Sequence, residues 1–363
     1  MVKYYIISGE ASGDLHGSHL MRALQETDPV AEFRIWGGEK MQAVGGELVT
    51  HYRDMAFMGF WEVFKNLRYI TKKMRFCKED ILQYQPDAVV LIDYPGFNLR
   101  IAEFAKKAGF KVFYYISPQV WAWKSGRVEK IRTSVDRLFT ILPFEKDFFA
   151  ARHYDVSYVG HPLIDLIPPR ERPAESNLIA VLPGSREQEI KVKLPIMLSL
   201  AKAFPQYQFW VAKAPGAKEE WYAALEEVKN SPNVVVVNDS TYELLSKAHA
   251  AVVTSGTATL ETALFGVPQA VCYKGNPISY AIGKRVVKIK FISLVNLILN
   301  RPLVTELIQH DMNPNALKIA FEAIVEAGPK RDEILAAYSE LRMLLGQGGA
   351  AKQTASEIFR LLH

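Results

Sequence analysis

Ser255-Gly256-Thr257 stands between a valine-rich apolar run at residues 250–253 and a stretch of helix formers that carries Glu261. Gly266-Val267-Pro268 then restarts an apolar run at residues 269–272. This pattern predicts a strand, a turn, a helix and a second strand. In such a unit the turn lies at the carboxyl edge of a parallel sheet, where free backbone N–H groups and the positive end of the helix dipole favour an anion. Ser255, Gly256, Thr257 and Thr259 suit a diphosphate. Glu261, one turn further on, suits a ribose, because one carboxylate accepts hydrogen bonds from both hydroxyls of a vicinal diol. The same residues also fit an ordinary capped helix, with Ser255 or Thr257 as N-cap and Glu261 balancing the dipole.

A second turn of this kind, Pro183-Gly184-Ser185-Arg186, follows the apolar run at 178–182. A guanidinium there can hold a diphosphate through two parallel hydrogen bonds and stabilise charge on a departing nucleotide, although loop arginines also form solvated ion pairs of little energetic weight. Near the start, Ser8-Gly9-Glu10-Ala11-Ser12-Gly13-Asp14 opens a helix with glycines, a hydroxyl and two carboxylates. It is not the G-x-G-x-x-G fingerprint, and nothing matches G-x-x-x-x-G-K-[ST], which argues against NAD and ATP. Ser12 and Asp14 suit an acceptor's phosphate or sugar and Glu10 a catalytic acid or base, while a tight turn capped by Asp14 is the structural alternative. Asp93 closes the run at 88–93, where a carboxylate beside a positive site would serve as general base for a sugar hydroxyl or else cap the next helix. Trp121 and Trp123 precede Lys124 and Arg127, a combination that suits sugar and phosphate recognition and would equally serve a core. His16 and His19 lack a third ligand at suitable spacing, and no Asp-x-Asp pair is present to hold a divalent ion against a diphosphate. Chemistry without metal or cofactor is therefore expected.

Residues 51–76 form the most unusual surface candidate. Phe57, Phe60, Trp61, Phe64 and Leu67 recur at helical spacing, flanked by Lys65, Arg68, Lys72, Lys73 and Arg75. Such a helix can lie in a bilayer interface or grip acyl chains while its cations meet phosphates, and it can also pack against a core. A second basic and apolar stretch, GKRVVKIKF at 283–291, favours membrane contact.

The elements that must position these residues alternate short apolar strands with longer helical patterns, twice over. Strands are expected at 2–8, 33–36, 88–93, 111–116, 137–142 and 157–159, then at 178–182, 208–212, 234–237, 250–254 and 269–272. The expected fold is α/β, with two doubly wound Rossmann-like domains facing a cleft in which ligands bind. Domain bounds are expected at 1–168 for a domain carrying the acceptor and membrane candidates and 177–345 for a nucleotide-binding domain. Residues 169–176, rich in Pro and charge, read as the linker, and 346–363 as a helix crossing back to the first domain. With 49% hydrophobic residues in a chain of 363, a large core is affordable. Cys77 and Cys272 are the only cysteines and the start MVKYYIISGE carries no signal pattern, so a reducing cytoplasm without disulfides is expected. No apolar run reaches the roughly 18 residues of a spanning helix. The net charge of +5 suits anionic partners, but no motif points to nucleic acid.

Taken together, GEASGD, IDYPGFN, SPQVWAW, LPFEK, VGHP, LPGSR, SGTATLE and SLVNL, in this order over nearly the whole chain, resemble the lipid A disaccharide synthases, glycosyltransferases of the GT-B fold. The resemblance implies transfer of 2,3-diacylglucosamine from UDP-2,3-diacylglucosamine to 2,3-diacylglucosamine 1-phosphate, forming a β-1,6 disaccharide with inversion and releasing UDP. It implies a peripheral protein on the cytoplasmic face of the inner membrane, in contact with its phospholipid surface, and places Arg186, Glu261 and Asn296 on UDP-binding positions. A homodimer is left open. One departure bears on the base: where many relatives carry a second aspartate before the Phe-Asn pair, this chain has Gly96, leaving Asp93 with Glu10 in reserve. Three rivals make different demands. Another UDP-sugar GT-B enzyme, a peptidoglycan-lipid glycosyltransferase or a UDP-sugar 2-epimerase, needs no diacyl-binding helix. A silent UDP-sugar binding module binds without turnover, and a lipid-binding scaffold gains no protection from UDP.

Overall fold

The computed structural model describes residues 1–55, 67–123, 126–169, 176–214, 217–225, 231–238, 241–286 and 289–363. The chain divides into unit 1, Met1–Asp165 with Leu345–His363, and unit 2, Leu166–Leu344. The change of unit thus falls just before the expected linker, of which residues 170–175 lie outside the described ones.

Unit 1 is built on β1 (Lys3–Ser8), β2 (Glu32–Gly37), β3 (Glu47–His51), β4 (Ala88–Ile92), β5 (Lys111–Tyr115), β6 (Arg137–Thr140) and β7 (Ser157–Tyr158). They form a seven-stranded sheet in the order β3-β2-β1-β4-β5-β6-β7, with every pairing parallel. The strands read as unbroken apolar runs because helices cover both faces of a parallel sheet. Their side chains still alternate. Tyr5, Ile7, Val89 and Leu91 enter one core cluster, while Tyr4, Ile6, Val90 and Ile92 enter another on the opposite face.

Unit 2 repeats the plan with β8 (Leu178–Leu182), β9 (Gln208–Lys213), β10 (Val234–Asn238), β11 (Ala250–Thr254), β12 (Gln269–Tyr273) and β13 (Glu306–Ile308). Their order is β10-β9-β8-β11-β12-β13, again with parallel pairings throughout. All strands expected from the sequence are present within a residue or two. Two were missed, β3 and β13, both at sheet edges. A short edge strand has one neighbour and little apolar content, so its local pattern is weak; β13 has only three residues.

The last helix, Ala350–Leu362, returns to unit 1 as expected and packs on the first helix, Ala11–Thr27, where Ala350, Ala355 and Ile358 join Leu20 and Leu24 in one cluster. Glu357 fixes its register by accepting from the Ser157 hydroxyl at 2.8 Å and pairing with Arg137 at 2.9 Å. Cys77 and Cys272 are both buried, one in each unit. Among the described residues no helix is long and apolar enough to cross a membrane. Ile358 is fully buried, so Ile358→Ala should lower unfolding free energy by about 2–4 kcal/mol in a urea titration, through lost burial and the cavity left behind. A loss below about 0.5 kcal/mol would mean that the returning helix carries no part of the stability of unit 1.

Candidate active site

Strand order reverses at β1/β4 in unit 1 and at β8/β11 in unit 2. In a doubly wound sheet these reversals open a crevice beyond the carboxyl ends of the strands, and ligands bind there. Each candidate turn follows one of those four strands.

In unit 1, β1 leads into Gly9-Glu10 and β4 into Asp93-Tyr94. Both Asp93 and Tyr94 adopt left-handed backbone, with φ of 45° and 48°. Two consecutive non-glycine residues in this region are strained, a condition that persists only where the surroundings over-determine it. The surroundings do so here. Buried Asn98 sends its amide to the carbonyl oxygens of Asp93 at 2.8 Å and Ile92 at 3.2 Å, the Asp93 N–H donates to Tyr115 O at 3.2 Å, and the Tyr114 hydroxyl donates to Asp93 O. Gly9 lies under the Tyr94 ring, where a Cβ would come within 2.3 Å of ring carbon. Burial and, after it, the neighbouring Glu10 carboxylate push the Asp93 carboxyl up to about 6, against the lowering effect of the Tyr94 N–H. Glu10 and Asp93 are therefore brought together. Gly96 is exposed in the first turn of the helix Pro95–Lys107, and a Cβ there would meet nothing within 4 Å.

Other unit 1 candidates separate by burial. Ser12 is exposed at the start of the Ala11–Thr27 helix. Asp14, expected to meet the acceptor, is instead buried, and its carboxylate accepts from the backbone N–H groups of Gly38 at 2.7 Å, Lys40 at 3.1 Å and Met41 at 3.1 Å. It caps the short Glu39–Gln42 helix, a partner 24 residues away that no local pattern announces. Burial first, and a nearby histidine second, depress His16 to about 4 (beside His19) and His161 to about 3 (beside His16). Both are neutral at pH 7. Among the described residues no group of three or more His, Cys, Asp or Glu could hold a metal ion. Phe57, Phe60, Trp61 and Phe64 lie outside the described residues. The Leu67–Tyr84 helix that follows is anchored through buried Asp80, which accepts from the Tyr5 hydroxyl at 2.6 Å and pairs with Arg34 at 2.7 Å, and it exposes Arg68, Tyr69, Lys72, Arg75 and Phe76.

In unit 2, Gly184 and Gly256 turn the chain with φ of 111° and 147°, values that side chains resist. Gly256 precedes the helix Thr257–Leu264 and has no side chain to cap it, so the first turn presents backbone N–H groups at the strand end. Ser185, Arg186 and Thr257 are exposed beside them. Glu189 lies between two cations, 3.5 Å from Arg186 and 3.8 Å from buried Lys193. A cation so placed orients the carboxylate and, through it, the guanidinium. Glu261 is mostly buried, which raises its pKa, and the Tyr242 hydroxyl donates to it at 3.0 Å, which lowers it.

Three UDP-binding candidates are engaged by the protein itself. The Thr259 hydroxyl turns back to Gly256 O at 2.8 Å, and the Ser255 hydroxyl donates to Ile292 O at 2.8 Å. Asn296 is 1% exposed; its amide donates to Val304 O and Glu306 at 2.9 Å each, and its oxygen accepts from the Val304 N–H at 2.9 Å. Glu306, which the sequence reading missed, completes a bracket by accepting from the N–H groups of Ile292 at 3.0 Å and Ser293 at 2.9 Å. Asn296 thereby fixes the segment that holds Ser255. The only local signal for Glu306 was a carboxylate opening a three-residue strand.

A pair of doubly wound parallel units with polar turns at their topological switch points is the two-domain α/β architecture of the GT-B type. The fold agrees with solved structures: UDP-GlcNAc 2-epimerase from Neisseria meningitidis matches with a TM-score of 0.68 at 13% identity over 99% of this chain and 100% of that one. The glycotransferase of kitacinnamycin matches at 0.64 and 14% identity over 99–100% of each chain. The chain belongs to the lipid-A-disaccharide synthetase family, whose model matches residues 4–358. The Syntrophus aciditrophicus lipid-A-disaccharide synthase is 40% identical over 96% of this chain and 95% of its own, and that of Coxiella burnetii 37% identical over 98% of each. The protein is thus a glycosyltransferase of lipid A synthesis.

The folded chain prefers Asp93 protonated. That preference favours the native state fully below the ordinary aspartate value of 3.8 and is lost as pH rises through about 6. Asn tolerates the left-handed backbone, so Asp93→Asn should be more stable than the parent at pH 8 and no more stable at pH 3, read from urea midpoints at both pH values. A variant less stable at pH 8 would contradict the buried, proton-seeking carboxyl.

Proposed function

We propose that the chain transfers 2,3-diacylglucosamine from UDP-2,3-diacylglucosamine to the 6-hydroxyl of 2,3-diacylglucosamine 1-phosphate, with inversion. The observation that carries this reading is the complementary chemistry of the two switch points. Unit 2 offers an exposed guanidinium and a helix N-terminus for a diphosphate, and unit 1 offers a partly buried carboxyl raised to about 6. On this reading unit 2 holds UDP, with Arg186, Gly184, Ser185 and the amides around Gly256 and Thr257 on the diphosphate and Glu261 on the ribose. Asn296, Ser255 and Thr259 hold that turn in shape.

Asp93, mostly ionised at pH 7 yet more basic than an ordinary aspartate, takes the proton of the acceptor's 6-hydroxyl, with Glu10 maintaining its basicity. The oxygen forms its bond to the anomeric carbon as the bond from that carbon to the diphosphate oxygen breaks, and the electron pair leaves with UDP. Arg186 and the backbone N–H groups stabilise that charge, donors set in place before it develops. Gly96 leaves the role of base to Asp93, since glycine supplies no carboxyl where many relatives have one.

Residues 57, 60, 61 and 64, continued by exposed Arg68, Tyr69, Lys72 and Phe76, are read as the surface that meets acyl chains and anionic phospholipid at the inner membrane's cytoplasmic face. Polar replacement of Phe57, Phe60 and Phe64 together should release the protein from anionic vesicles in a flotation assay; undiminished flotation would remove this surface from the account.

Mass spectrometry of the product formed from the two lipid substrates tests the reaction itself. In the same assay Asp93→Asn should abolish turnover while keeping thermal protection by UDP, and Arg186→Ala should lower kcat by about 10²–10³-fold, the scale of one lost electrostatic contact to a transition state. Near-normal turnover by Asp93→Asn would move the base elsewhere.

A further inference from the structure

The SPQVWAW and LPFEK motifs take no part in the reaction as described, yet the fold joins them. Trp121, in the short helix Val120–Trp123 after β5, donates its indole N–H to Glu145 at 3.2 Å. Glu145, in the helix Pro143–Ala150 after β6, is only 1% exposed. Its other oxygen accepts from the N–H groups of Ile141 at 3.1 Å and Leu142 at 2.9 Å. Capping a helix does not require a buried carboxylate, because an exposed glutamate at the same position makes the same backbone contacts. Burial carries a desolvation penalty that raises the Glu145 carboxyl to about 7. What burial adds is a hold on a tryptophan from another loop, 24 residues away.

That tryptophan is fixed on two sides. Phe144 meets it edge-to-face at 4.9 Å between ring centres, and Glu145 takes its one polar atom. Its flanking residues Val120 and Ala122 are buried, whereas Trp121 itself stays partly exposed. The loop that carries it leaves β5 through Ile116, whose φ of 65° is a strained value for a β-branched side chain. β5 lies next to β4, and Asp93 is tied to β5 through the Tyr115 carbonyl and the Tyr114 hydroxyl. Strain and restraint therefore occur together on adjacent strand ends of unit 1, beside the candidate base.

We propose that Trp121 is the platform on which the acceptor's glucosamine ring lies, and that Glu145 is a positioning residue that sets the angle of that platform beside Asp93. With its N–H committed to Glu145, the indole offers a ring face and not a hydrogen bond, which selects the apolar C–H face of a pyranose. This inference rests on the assignment of unit 1 to the acceptor.

The test uses the full chain in detergent micelles. Binding of 2,3-diacylglucosamine 1-phosphate is measured directly, and KM is measured for each substrate in turn, for wild type, Trp121→Ala, Trp121→Phe and Glu145→Gln. Trp121→Ala should weaken acceptor binding and raise acceptor KM roughly tenfold, the size of one lost ring contact, while donor KM and thermal protection by UDP stay unchanged. Trp121→Phe, which keeps a ring, should recover most of the loss. Glu145→Gln should share the acceptor-selective defect and add little to it in the double variant. Donor and acceptor constants moving together, or neither moving, would make Trp121 a packing residue and overturn the proposal. A wild type protected by UDP that does not bind the acceptor would sink the acceptor assignment and this inference with it, while leaving the nucleotide site standing.

Discussion

A parallel strand has two unlike ends, and that polarity governs this protein. Every strand in both sheets pairs in parallel, so each hands its chain to a turn at the same edge. At that edge the next helix begins, with unsatisfied N–H groups and the positive end of its dipole. Anion chemistry follows from this geometry with few specialised residues. Glycines at 184 and 256 let the backbone turn, and Arg186 adds the one full positive charge exposed in these two turns. The reversal of strand order then spreads two of these turns apart in each unit and leaves room for a ligand.

Polar groups at these edges divide into those that hold and those that remain accessible. Asp14, Asn98, Asn296, Glu145 and Glu306 are each engaged by two or more protein partners, most of them backbone. Removing any one leaves buried N–H or C=O groups without a partner, which costs more than the bond itself contributed. These residues keep the turns rigid, so that groups with shifted proton affinity need not be held in place by a ligand. Asp93 shows the arrangement most fully. Its backbone is strained and its carboxyl desolvated, and three residues from two neighbouring elements hold its main chain in that state.

Much of this was legible in the chain itself. Alternation of short apolar runs with helical stretches gave the doubly wound units, because a strand covered on both faces must be apolar throughout. The turns at 184–186 and 255–257 and the carboxylates at 10 and 93 were identified from residue type and position. So was the return of the last helix, expected at 346–363. The edge strands β3 and β13 escaped because a short strand with one neighbour and few apolar residues leaves a weak local pattern.

The sequence by itself determined the interior strands of both sheets, where the chain turns, and which family the chain joins, since these depend on local composition and on motif order. Tertiary structure alone decided which polar residues are spent on the scaffold. Asp14 looks the same as Asp93 in sequence, a carboxylate near the carboxyl end of a strand. Only the fold brings three N–H groups to the first and a second carboxylate to the other. A side chain's role is set by the partners that reach it and by the water excluded around it, and both are supplied by segments far away in the chain.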